Sequence, residues 1–327
     1  MTKKSMKMFA MAVFAGTLLC SNVANAERIK VDEATFPDPV VREAVRKNAY
    51  ESDNDDDFNY YIDSDSKDLE SLNIYGDYPV TNLKGLELIT SLKSLSVSPY
   101  KGIDITLNSS ALETLSISDC DGVDVAVNIP NLTSLTLYGK DSLKSIDISK
   151  ETKLETLSLS GNSLTTLTGL DKLSNLTSIT LSGEGISNLD LSSFSKLTEL
   201  SLSEVKVSGS EFTTLKSLKT LKISETKVSS LDLSGCSSLE EINCYNIGLT
   251  NLKVPASIIS INCENNEIEK LDLSKCEKLK ELNLNNNNLT SLNVSNCKKL
   301  ETLTAYENDI RSINVKKIGR ASCRERV

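Results

Sequence analysis

Three groups of residues could do chemistry. Asp53, Asp55 and Asp57, within Asp53-Asn-Asp-Asp-Asp57, occupy the first three ligand positions of a calcium loop, where alternating carboxylates converge on one cation. The same register puts Phe58 where the sharp turn needs glycine and Ser64 where a bidentate glutamate belongs. The segment therefore reads first as a solvated acidic loop, with a weak calcium site as the secondary expectation. Glu240, Glu241 and Glu281 are the carboxylates on which glycosidase chemistry would draw, but that chemistry needs a pair about 5–10 Å apart in a cleft. Here the three fall on an open surface with no pocket implied.

Eight cysteines form the third group. Cys20 and Cys323 lie in terminal segments treated below. An exported chain with the remaining six invites a disulfide reading. No C-x-x-C spacing occurs, which argues against zinc. The 327 residues contain no histidine, which removes Ser-His-Asp and Cys-His catalysis and the commonest transition-metal ligand together. The expectation is a protein that binds rather than an enzyme, with no resident cofactor.

The elements that must position these residues are set by a repeat. The pattern L-x-x-L-x-L begins at Leu69, Leu92, Leu112, Leu132, Leu154, Leu176, Leu197, Leu218, Leu239, Ile258, Leu279 and Leu300, at intervals of 19 to 23 residues. Within the Leu279 unit, Leu282 and Leu284 alternate as a short half-buried strand, and Leu289, Leu292 and Val294 bring the chain back on the other side. Asn162, Asn266, Asn287 and Asn308 fall eight residues after their unit starts, where an amide can bond orphaned backbone groups of a buried turn. About 21 residues is too short for a full helix plus loops, so the return side is expected to be extended or 3₁₀. Parallel strands about 4.8 Å apart would stack these units into a rod or shallow arc on the order of 55 Å long.

These motifs are the leucine-rich-repeat signature. Leu164-Thr-Thr-Leu-Thr-Gly-Leu-Asp-Lys-Leu-Ser-Asn-Leu176 resembles the internalin type of bacterial repeat. Leu271-Asp-Leu-Ser-Lys-Cys276 and Asn262-Cys-Glu-Asn-Asn266 resemble related secreted repeats of anaerobic Gram-positive bacteria. The resemblance implies a solenoid with a curved parallel sheet on its concave side, exposed at the cell surface and binding proteins or glycans through that sheet. Related secreted proteins also carry an EF-hand-like loop where Asp53 to Asp57 lie. Only the scaffold motif matches, so the resemblance brings no binding residue with it.

The register also sorts the cysteines. Cys236, Cys276 and Cys297 share one inward slot on the return side, Cys244 and Cys263 share an inward strand position, and Cys120 takes the slot that holds Asn in other units. Slots already defined by the repeat favour buried thiols. If any pair is oxidised, it is Cys276 with Cys297 or Cys244 with Cys263.

At the N-terminus, Lys3, Lys4 and Lys7 precede an apolar stretch from Met8 to Leu19 and the small-x-small site Ala24-Asn-Ala26. Residues 1–26 therefore read as a signal peptide. Leu19 before Cys20 argues against lipidation, and the apolar stretch is short of the roughly 20 residues a membrane span requires. Residues 27–67 read as an N-terminal cap. Asp38 is the N-cap and Pro39 the first residue of a helix whose apolar stripe, Val40, Val41, Ala44 and Val45, is expected to run to about Tyr50. Residues 68–317 hold about 12 repeats, the last cut short. Residues 318–327 break the pattern and resemble a translated sequencing adapter, so the natural chain is expected to continue past Lys317.

The whole chain carries 36 basic and 45 acidic residues. Setting aside three lysines at the N-terminus, and three arginines and one glutamate in the tail, leaves 30 against 44, a net charge of −14. Such a chain repels nucleic-acid phosphates and anionic membranes. The outward strand residues form one row of Ser96, Ser116, Thr136, Ser158, Thr180, Ser201, Lys222, Asn243, Asn262, Asn283 and Thr304, beside a second containing Tyr138, Tyr245, Glu264, Asn285 and Tyr306. Tyrosine favours interface anchors, so Tyr245, Tyr306, Asn243, Asn262, Asn283, Glu264 and Asn285 are the candidate ligand-binding residues. The expected function is that of a monomeric extracellular or cell-surface module for protein binding or adhesion. The alternative is a glycan-targeting module of a larger secreted protein.

Overall fold

The computed structural model describes residues 27–51, 59–101, 104–120, 124–139, 143–161, 163–187 and 189–315. Residues 1–26, read above as a signal peptide, together with Asp53, Asp55 and Asp57, Asn162 and the 318–327 tail, lie outside the described residues.

The chain winds as a solenoid around a twelve-stranded parallel sheet whose strands follow one another in sequence order, from Ser71–Val80 to Thr302–Thr304. Every strand begins two residues after one of the repeat starts. The start residues are buried in all twelve coils; Leu112, Leu132, Leu154 and Leu176 are each 0 % exposed. The register places Thr114, Ser134, Thr156 and Ser178, two residues further on, side by side, so the four leucines stack as one column. Each coil is too small to bury its leucines alone, and its neighbours close both sides. Full burial of a leucine is worth about 1.5–3 kcal/mol.

The return side is extended or 3₁₀, as the coil length requires. Asp104–Thr106, Asp124–Asn128, Ser145–Asp147 and Thr166–Thr168 form a second parallel sheet of four strands. Later coils carry two short pairs, Ser230–Asp232 with Asn251–Lys253 and Ser291–Asn293 with Ser312–Asn314. Single 3₁₀ turns stand at Leu86–Leu88, Leu170–Lys172 and Glu211–Thr214.

The N-terminal end is closed by helix α1 (Pro39–Arg46) and an antiparallel sheet of β1 (Arg28–Lys30), β2 (Tyr50–Glu51) and β3 (Tyr60–Asp63), with β3 in the middle. Asp38 caps α1 as expected, its Oδ1 accepting from the N–H groups of Val40 (2.9 Å) and Val41 (3.2 Å). Its Oδ2 accepts from the N–H and hydroxyl of Thr81 in the first coil. One carboxylate, 2 % exposed, thus starts the helix and bolts it to the solenoid. Val41 and Val45 are buried, with Val40 and Ala44 packed beside them.

The helix stops at Arg46, short of Tyr50. The Asn48 and Ala49 N–H groups close a turn on Val45 and Arg46, and the chain leaves as β2 because β3 offers it a free edge. Stacking reinforces that choice: the Arg28 guanidinium lies 3.9 Å from the Tyr61 ring centroid and that of Arg46 lies 4.0 Å from Tyr60. Ser64 is a buried tie between segments, its hydroxyl accepting from Glu27 N–H and its carbonyl from Ser91 N–H and the Thr90 hydroxyl.

Candidate binding face

Strand alternation sends every second residue of the long sheet outward, and parallel in-register pairing converts these residues into rows. The first predicted row is continuous across the sheet: Ser96 lies beside Ser116, then Thr136, Ser158, Thr180, Ser201, Lys222, Asn243, Asn262, Asn283 and Thr304. Asn73 extends it at the N-terminal end. The neighbouring row includes Tyr75, Tyr138 and Tyr245, which are 64 %, 51 % and 45 % exposed.

The two ends of this face differ chemically. Over the coils starting at Leu92 to Leu176 the outward positions are hydroxyls apart from Tyr138. Further on, Glu199, Glu241, Glu264 and Glu281 appear against the single cation Lys222. The asparagines there are joined side chain to side chain. Asn262 Nδ2 donates to Asn243 Oδ1 (3.4 Å), Asn283 Nδ2 donates to both Asn262 Oδ1 and Glu264 Oε2 (3.0 Å each), and the Thr304 hydroxyl donates to Asn283 Oδ1 (2.9 Å). Asn285 Oδ1 accepts from the Tyr306 N–H (2.9 Å). The structure therefore gathers all seven predicted residues on one tract, and these hydrogen bonds hold the side chains of Asn243, Asn262, Asn283, Glu264 and Asn285. Sequence periodicity supplies the rows; the amide-to-amide wiring depends on side-chain torsions that it does not encode.

Reading the sequence missed two exposed tyrosines. Tyr75 stands six residues after Leu69, the same offset as Tyr138, Tyr245 and Tyr306, so the repeat could have found it. Tyr78, 76 % exposed, sits beyond a break in strand register and carries no such signal. With Val40, Ala44 and Asn73 the two line a groove of about 570 Å³ between α1 and the first strand.

Behind the face, the predicted asparagine slot is filled as expected at three positions. Asn266 Oδ1 accepts from the N–H groups of Ile247 and Leu249, while its Nδ2 donates to the carbonyls of Cys244, Cys263 and Glu264. Asn287 and Asn308 repeat the arrangement one and two coils on. Cys120 holds the corresponding place in its own coil but lies within a strand, beside Tyr100.

The six cysteines are buried thiols. A hydrogen bond with Cys263, then burial, pushes the Cys244 thiol up; burial lifts Cys236 and Cys276 to about 11 and raises Cys297. Protonated, enclosed thiols are poor nucleophiles and poor metal ligands. Among the described residues no three Asp, Glu or Cys side chains converge as a metal site. Glu240, Glu241 and Glu281 are exposed.

This architecture is a leucine-rich-repeat solenoid. No protein-family model matches the chain, and no curated relative matches it. Solved structures do. The functional domain of InlJ from Listeria monocytogenes, described as including a cysteine ladder, superposes with a TM-score of 0.51 at 16 % identity, covering 90 % of this chain and 72 % of that one. A leucine-rich-repeat protein of Leptospira interrogans gives 0.50 at 16 %, covering 74 % and 76 %. Toll, in its complex with Spätzle from Drosophila, gives 0.51 at 18 %, covering 70 % and 35 %. What is shared is the leucine-rich-repeat fold. Among the described residues no helix is long and apolar enough to cross a membrane.

Proposed function

We propose that this chain is an extracellular or cell-surface binding module that captures a protein on the open face of its long sheet. The contact tract is formed by Tyr245, Tyr306, Asn243, Asn262, Asn283, Glu264 and Asn285. The observation that carries the proposal is the wired row of asparagines beside an exposed tyrosine. Polar groups whose rotamers are already fixed lose little entropy on binding, and tyrosine adds contact area at low cost. The acidic excess over Lys222 favours a partner that presents lysine or arginine at the contact and disfavours nucleic acid. The apolar export segment at the N-terminus supports an extracellular setting.

Residues 27–317, screened against surface-protein and glycan arrays, test this directly. A protein ligand is expected, with binding weakened at least tenfold (about 1.4 kcal/mol) by the double substitution Tyr245→Ala, Tyr306→Ala. Recognition confined to the glycan array would replace the protein reading. Binding that ignores the double substitution but is lost on Tyr75→Ala would move the site to the N-terminal groove.

A further inference from the structure

In nearly every coil, the residue three before the first leucine position closes a turn by accepting that residue's N–H on its carbonyl. Leu132 bonds Ile129, Leu154 bonds Glu151, Leu176 bonds Leu173 and Leu197 bonds Phe194. The slot points into the core, and Ile129, Leu173 and Phe194 are at most 1 % exposed. Glu151 is the one carboxylate in this column, and it is only 2 % exposed.

Its neighbour explains what it does there. Leu173 and Phe194 each send their own N–H to the carbonyl three residues back, Leu170 and Leu191 respectively. Ile129 follows directly on the extended strand Asp124–Asn128, and its N–H goes across to Glu151 Oε1 instead, at 3.0 Å. Glu151 Oε2 is buried with no hydrogen-bond partner. As a carboxylate this group would hold a charge in an apolar column with one oxygen orphaned. As a neutral acid it keeps the acceptor that Ile129 needs and loses the charge.

We propose that Glu151 is a pH-responsive latch between adjacent coils: as the neutral acid it accepts the Ile129 N–H without placing a charge in the column, and its ionisation leaves a buried charge with one oxygen unpaired, which destabilises the coils around it. The charged groups around it are few. Its own coil contributes Asp147, Lys150 and the exposed Lys153, whose ammonium donates to the Asn131 side chain of the coil before; Asn128 to Asn131 themselves carry no charge, and the coil after contributes the exposed Asp171 and Lys172. Burial raises the carboxyl above the usual 4.5, while the Ile129 N–H and Lys150 pull it down by less. A group raised on folding stabilises the fold below its unfolded value, and that contribution is lost as pH climbs through the folded one. The latch is thus closed in acid and strained at neutral pH.

The test compares wild type with Glu151→Gln, which keeps a carbonyl for Ile129 and cannot ionise. Thermal midpoints and amide exchange are followed from about pH 4 to about pH 8. Groups shared by both proteins cancel in the difference. The wild-type midpoint is expected to fall relative to the variant as pH rises, with protection at Ile129 and at Leu154 falling alongside it. Parallel curves would overturn the latch. If the variant does not fold, a carbon-13 titration of the Glu151 carboxyl in the wild-type protein decides the matter: a midpoint above 4.5 supports the proposal and one at or below it refutes it.

Discussion

The coils that begin at Leu92 and Leu112 and those that begin at Ile258 and Leu279 turn the same corner by different means. In the first pair the strands Ser94–Tyr100 and Thr114–Cys120 are seven residues long, and Tyr100 still pairs with Cys120 at their ends. In the second pair the strands Ser260–Asn262 and Glu281–Asn283 stop after three residues, and Asn266 and Asn287 close the corner with side-chain amides. Backbone pairing leaves the eighth position open to a hydrophobe. Amide closure makes a whole corner depend on one residue.

The largest expected effect tests that dependence. Asn266→Ala removes five hydrogen bonds and orphans the buried N–H groups of Ile247 and Leu249. At roughly 1–3 kcal/mol per unsatisfied group, urea unfolding should show a loss of about 3 kcal/mol or more. Cys120→Ala, at the matching place in the paired-backbone corner, should cost only about 1–2 kcal/mol, the price of a small cavity. Equal losses would break the comparison.

A smaller effect sharpens it. The residue just before this slot is left-handed in many coils: φ is 60° at Glu204, 53° at Glu225 and 53° at Asn286. Asparagine tolerates that conformation and glutamate pays a steric penalty. Glu204→Gly should therefore raise stability by up to about 1 kcal/mol in thermal unfolding, with Asn286→Gly close to neutral.

The smallest effect lies on the return side. Asp232 is held at about 2 by the Lys253 ammonium first and by Ser234 next, whereas Asp147 is lowered mainly by Ser149. Both are lowered on folding, so their contribution is present above the ordinary value of 3.8 and lost as pH falls towards about 2. Solvent screening keeps it below about 1 kcal/mol. Asp232→Asn should flatten the acid limb of the stability curve, and Asp147→Asn should flatten it less.

Much of this was legible in the residues. Leucine spacing located all twelve strands and both the inward and the outward rows, because a coil of about 21 residues has only one way to bury its alternating side chains against its neighbours. The roles of Asn266, Asn287 and Asn308 followed from the same register. The N-terminal cap was half legible. Asp38 and Pro39 announce a helix locally, but its end depends on whether a strand partner exists for Tyr50, and that partner, Tyr61, lies across a different segment.

The sequence by itself determined the coil, its period, its buried column and the identity of each row, since all of these are fixed by side-chain alternation within a few residues. Only the tertiary structure decided how neighbouring coils use the groups that face each other: the chain of amides from Asn243 to Asn283, the groove beside Tyr75, and the single carboxyl at Glu151 that takes up a stray N–H from Ile129. Those depend on distances of about 3 Å between residues some 20 positions apart, and no local pattern specifies them.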